Sequence, residues 1–104
     1  MADASAILVQ STHATNTPSI ASDTTALVAN ATRTQWSIQN LGQNPLFVRL
    51  GSGASSSVFH VVLKGSTAND DGSGGVVSQD TGAVYCGIIT IAGTSPRYAV
   101  LEMS

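Results

Sequence analysis

Charge is what this sequence has least of. Only 10% of its 104 residues are Asp, Glu, Lys or Arg, against roughly 25% in an average globular chain. The four basic residues, Arg33, Arg49, Lys64 and Arg97, are scattered, and the formal net charge is −2. No basic stripe exists to neutralise phosphates, so nucleic-acid binding is set aside. Cysteine is almost missing as well. Cys86 stands alone, which excludes an intrachain disulfide and any metal site built from several thiolates. No apolar run approaches the roughly 20 residues of a bilayer-spanning helix. The opening residues Met1-Ala2-Asp3-Ala4-Ser5-Ala6 place no basic stretch ahead of an apolar one. No secretory signal is read there, and the chain is expected to be made and folded in a cytosol.

Sustained helical spacing of apolar residues is also lacking. What is present is a 42% apolar fraction arranged in short β-branched and aromatic runs. Gly, Asn, Pro and Ser separate these runs at intervals of about 10 to 12 residues, the pattern of an all-β sandwich or barrel. The length suits one domain with one core. The expected fold is therefore a single-domain antiparallel β-sandwich or jelly-roll-like barrel of about eight short strands. They are placed near residues 5–10, 25–29, 33–40, 45–51, 57–64, 76–79, 83–92 and 97–103. Residues 1–24 read as an extended arm or first strand plus a polar loop over Ser11–Ser22, and residues 25–104 as the sandwich domain.

Alternation assigns faces. Trp36, Ile38 and Asn40 point to the core while Gln35, Ser37 and Gln39 face water. Leu46, Val48 and Leu50 point inward, with Phe47 and Arg49 on the other face. Leu41-Gly42-Gln43-Asn44-Pro45 supplies turn chemistry between them, so the two strands read as an antiparallel hairpin. Phe59, Val61 and Leu63 share one face, and Val58, His60 and Val62 the other. Residues 65–75 read as a solvent-exposed loop. In the run 83–92, Val84, Cys86 and Ile88 occupy one face, and Tyr85, Ile89 and Ile91 the other. A sheet with one wet face would not carry apolar residues on both. The second face meets either another layer or a partner.

Reactive constellations are sparse. Catalysis by Ser or Cys needs an adjacent base. His13 falls in the polar segment, and His60 on an alternating strand. Cys86, without a basic neighbour in sequence, reads as a small buried hydrophobe. Asp70-Asp71-Gly72 lacks the alternating acids and the closing Glu of a calcium loop. Of the six acids only Glu102 falls inside a predicted strand. The Gly-rich pieces at 51–53 and 72–75 lack the ending of a phosphate loop. Trp36 reads as a core anchor, with stacking on a sugar as the alternative.

The stretch from Thr32 to Gly51 contains Arg33, Trp36, Ile38, Asn40, Gly42, Pro45, Leu46, Phe47 and Val48 in the pattern Arg-x-x-hydrophobic-x-hydrophobic-x-Asn-x-Gly-x-x-Pro-hydrophobic-hydrophobic-Val. Gly82-Ala83-Val84-Tyr85 and Tyr98-Ala99-Val100-Leu101-Glu102 follow. Over about residues 25–104 this resembles small β-rich virion structural proteins of tailed bacteriophages, of the head decoration (cement) type. The resemblance implies a chain with no catalytic residue, metal or cofactor. It would be synthesised in the bacterial cytoplasm and bound to the outer surface of the head, where it stabilises capsomer junctions. The implied partners are copies of itself, as a homotrimer, and the major capsid protein, with neither nucleic acid nor membrane. A tail, neck or fibre component and a carbohydrate-binding module are the alternatives. The apolar second-face residues Phe47, Val58, Val62, Tyr85, Ile89 and Ile91 are the candidates for protein contact.

Overall fold

The structure is a computed structural model that describes residues 9–14 and 20–104. It is all-β. Strands β1 (Val9–Ala14), β2 (Ile20–Leu27), β3 (Gln35–Asn40), β4 (Leu46–Leu50), β5 (Val61–Leu63), β6 (Val76–Gln79), β7 (Ile89–Thr94) and β8 (Tyr98–Met103) follow one another. They build two antiparallel four-stranded sheets, ordered β1-β8-β3-β6 and β2-β7-β4-β5. No helix occurs among the described residues.

The two sheets pack because their strands present apolar residues at every second position to one shared interior. Trp36 and Ile38 of β3 and Tyr98 and Val100 of β8 come from one sheet. Leu46 and Val48 of β4 and Ile89 and Ile91 of β7 come from the other, and all are buried in one cluster. Each such side chain contributes roughly 1.5–3 kcal/mol by leaving water. Trp36 is seated there with its indole N–H donating to Gln79 Oε1 at 2.9 Å. It is a core anchor, with its indole buried.

The inward alternation of β3 and β4 is as expected, but their pairing is not. β3 pairs with β8 and β6, while β4 pairs with β7 and β5. Residues 41–45 therefore form an arch between the sheets rather than a hairpin. The reason is chemical. The N–H groups of Leu41 and Gly42 both donate to Arg97 O, holding the chain against the β7–β8 turn. The buried Asn40 amide donates to Asn44 O at 2.8 Å, Leu63 O at 3.1 Å and Lys64 O at 3.2 Å, and its Oδ1 accepts the Gly42 N–H at 3.0 Å. One side chain thereby satisfies main-chain groups that leave both ladders. Glycine is required beside it. A Cβ on Gly65 would lie 2.1 Å from Gln43 O, and one on Gly74 would lie 2.0 Å from Asn40 O.

Other boundaries also shift. β1 is described at 9–14, so a third of the polar stretch 11–22 expected to be a loop is strand antiparallel to β8. Residues 1–8 and 15–19 lie outside the described residues. β2 crosses position 24, so the expected division at 24/25 falls within a strand. The strand expected at 57–64 is reduced to 61–63, and that at 83–92 begins only at Ile89.

The 65–75 segment is irregular, as read, but internally bonded. Asp71 accepts from Ser73 Oγ at 2.6 Å, from Ser73 N at 2.8 Å and from Ala68 N at 2.9 Å. These donors, the Ser73 hydroxyl first, hold the Asp71 carboxyl below its ordinary pKa. A depressed folded pKa means that this ordering is present above the unfolded value and is lost as pH falls through the folded one. In an acid titration followed by NMR, the Ser73 and Ala68 amide resonances should therefore move with a midpoint below that of an unstructured Asp. In Asp71→Ala that transition should vanish. A midpoint at or above the unstructured value would contradict these contacts.

Candidate protein-contact face

The outer surface of the β2-β7-β4-β5 sheet carries Phe47, Phe59 and Val62, apolar side chains outside the buried core. Phe47 turns outward from β4 between the buried Leu46 and Val48, as alternation requires. In register it lies between Val62 of β5 and Ala92 of β7. Phe59 packs on it, with ring centroids 5.0 Å apart and planes tilted by 43°, a geometry favoured by the ring quadrupoles. Phe59 remains 38% exposed, Val58 43% and Val62 50%.

The preceding turn aims Phe59 at this face. Ser55 and Val58 exchange main-chain hydrogen bonds, and Ser55 Oγ accepts the N–H groups of Ser57 and Val58. His60 N–H then donates to Val48 O at 2.8 Å, and His60 Nδ1 accepts the Leu50 N–H at 2.9 Å. The histidine thus continues the edge of β4 through its ring. Because the chain leaves the β ladder before residue 61, Phe59 does not share a face with Leu63, contrary to the simple alternation.

A second piece of the loop covers β7. Thr90 Oγ1 donates to Gly51 O at 2.6 Å and accepts the Ala54 N–H at 3.2 Å. Asp23 accepts the Gly53 N–H at 2.6 Å through Oδ1 and donates its own N–H to Ala54 O at 2.8 Å. Gly53 takes φ +91° to make this approach. Residues 51–54 thereby form a lid over Thr90, which is why β7 is buried on both faces. Beside the lid lies a shallow depression lined by Ala21, Ser22, Phe47, Ser55, Ser56 and Ala92, with Gly93 and Thr94 at its end. None of these side chains is charged.

Of the six residues expected at a contact surface, Phe47, Val58 and Val62 lie on or at the rim of this face. Ile89 and Ile91 do not. Both are fully buried between the sheets, because β7 turns them to the interior and directs Thr90 outward beneath the lid. Tyr85 lies before the strand, partly buried against the core, with its N–H held by Gln79 Oε1. Alternation puts Phe59 on the face of Val61 and Leu63, and no periodic signal in the sequence marks its departure from that face.

The strongest polar site is elsewhere and is enclosed. Arg33 Nε meets Glu102 Oε2 at 2.7 Å, with both side chains almost wholly buried. The remaining guanidinium donors reach Tyr85 O at 2.8 Å, Gly87 O at 3.0 Å and Val28 O at 2.7 Å. This ties β8 to the β2–β3 connection and to the segment before β7. Cys86 is half-buried nearby, with Sγ 3.4 Å from Val84 O. Among the described residues, no three His, Cys, Asp or Glu side chains converge as metal ligands would. Comparison with protein-family models, curated proteins and solved structures gave no match.

Proposed function

We propose that this chain is a structural protein of a tailed-phage virion, a decoration protein that binds the outside of the head and stabilises capsomer junctions. The observation that carries the reading is the Phe47–Phe59 face with Val58 and Val62. Two of the chain's five aromatics are spent on a face bordered on one side by uncharged Ser22, Ser55, Ser56 and Thr94. Arg49 and Lys64 lie two residues beyond Phe47 and Val62, giving an apolar centre with a polar rim as in protein interfaces. The strand order supports it from a second side. Sheets ordered β1-β8-β3-β6 and β2-β7-β4-β5 correspond to a jelly-roll winding, an arrangement used repeatedly in viral coat domains. Fold alone does not set function, so the face bears the weight of the proposal.

Binding only to the assembled shell stabilises it by mass action. Several copies joined as a homo-oligomer would add avidity, because each contact after the first becomes intramolecular. Heads carrying the wild-type chain should retain their DNA to a higher temperature than heads lacking it. A Phe59→Ser/Val62→Lys variant that keeps its fold should fail to bind heads in a sedimentation assay. Equal thermal release with and without the chain would dismiss the stabilising role. Localisation of the chain to the tail in images of intact virions would transfer it to the tail or fibre alternative.

A further inference from the structure

Every open sheet has two edges, and each edge presents main-chain groups to whatever comes next. Edge strands β2 and β5 are blunted. β2 breaks register between Ala21 and Thr24 and again between Thr25 and Leu27, and Asp23 in its interior takes φ 48°. β5 has three residues and is followed by Lys64. β6 is also short, with four residues followed by Asp80, but the strand itself is unbroken. Val76-Val77-Ser78-Gln79 pairs with β3 in unbroken register and contains no charge, proline or bulge. Val76 is 61% exposed.

The ladder shows which β6 groups are unused. Asn40 N–H donates to Gly75 O, so 40 and 75 are a hydrogen-bonded pair. Antiparallel pairs alternate, so Val77 and Gln79 exchange bonds with β3 while Val76 and Ser78 turn their N–H and C=O groups to the open edge. In that alternation the β3 ladder leaves those groups for the edge. We infer that β6 pairs with β6 of a second copy about a two-fold axis through Val77, joining two four-stranded sheets into one.

The segment is self-complementary in this register. Val76 faces Ser78 of the second copy and Ser78 faces its Val76, which completes four main-chain hydrogen bonds. Gln79 then lies opposite Gly75, and Asp80 opposite Gly74. No acid meets an acid in this register. The contact joins copies in pairs, where the family resemblance implied threes. It uses the edge of one sheet and leaves the Phe47–Phe59 face on the other sheet free.

The test uses the purified full chain without capsids, so its result is separate from that of the cement reading. Light scattering after size exclusion should give twice the 10.6 kDa chain mass. Amide exchange at Val76 and Ser78 should slow at least about tenfold from dilute to concentrated protein. Ser78→Pro removes an edge-facing N–H while sparing the β3 ladder, and it should give monomer with unchanged circular dichroism. If that variant unfolds, Val76→Lys decides, since it sets two ammonium groups near the axis and should also give monomer. A monomeric wild type, or a folded variant that stays dimeric, overturns the inference.

Discussion

Arg33→Met should destabilise the protein by about 3–5 kcal/mol, since it leaves Glu102 as a buried charge without its partner. Urea denaturation of the two proteins side by side measures this as a fall in midpoint at constant slope. Glu102→Leu should cost a comparable amount, because the guanidinium would keep its carbonyl partners but lose its counter-charge. The double variant Arg33→Met/Glu102→Leu should be clearly less damaged than the sum of the two. The charge problem is then gone, and only the carbonyls of Val28, Tyr85 and Gly87 lack their donor, at about 1–3 kcal/mol for each that stays dry. Additive losses would mean that the two side chains act independently, contrary to the 2.7 Å contact between them.

The second large effect is expected at Asn40. Asn40→Asp is nearly isosteric, yet it swaps an amide that feeds three carbonyl oxygens for a group with no donor when ionised. Destabilisation of at least about 3 kcal/mol is expected from the buried, unsatisfied groups, a melting decrease of about 12 °C or more for a domain of this size. The variant should recover stability as pH falls. Its carboxyl, protonated more readily in the fold than in the unfolded chain, regains a donor there, and the benefit disappears as pH rises through that raised value. A thermal melt series from neutral to acid pH checks both the size and the sign. A variant as stable as wild type at neutral pH would remove Asn40 from its role at the arch.

These two positions show how far the sequence could be read. Both belong to the pattern that suggested a phage relative, and the structure gives each a folding task rather than a contact task. Glu102 was visible as the one acid inside a predicted strand. Its place after Tyr98 and Val100, two residues apart each time, already turned it toward the core. Its partner lies 69 positions away, beyond any local pattern. The inward rows of β3 and β4 were legible because period two is a local property. Their separation into different sheets was not, because an arch and a hairpin ask for the same Gly and Pro chemistry. What distinguishes them here is the Asn40 amide bonding to Leu63 and Lys64, a long-range fact. The run 83–92 carries apolar residues on both faces because it is not one strand: Val84, Cys86 and Ile88 precede β7, and within β7 the outward Thr90 lies beneath the 51–54 lid. Phe59 escaped because a strand that ends early also ends the alternation that would place it.

The order of strands bears on how such a chain can be made. Among the described strands only β4 and β5 are both consecutive and paired. The middle of each sheet is supplied late, by β7 at 89–94 and β8 at 98–103. On a ribosome adding about 5–20 residues per second, β1 and β3 therefore wait several seconds for the strand that lies between them. Little can be locked before residue 103 has cleared the exit tunnel. Such non-local pairing folds slowly, in milliseconds to seconds, and leaves nascent edges open to neighbours meanwhile. Synthesis at low temperature or with chaperones in excess should raise the soluble yield more than for a helical domain of equal length.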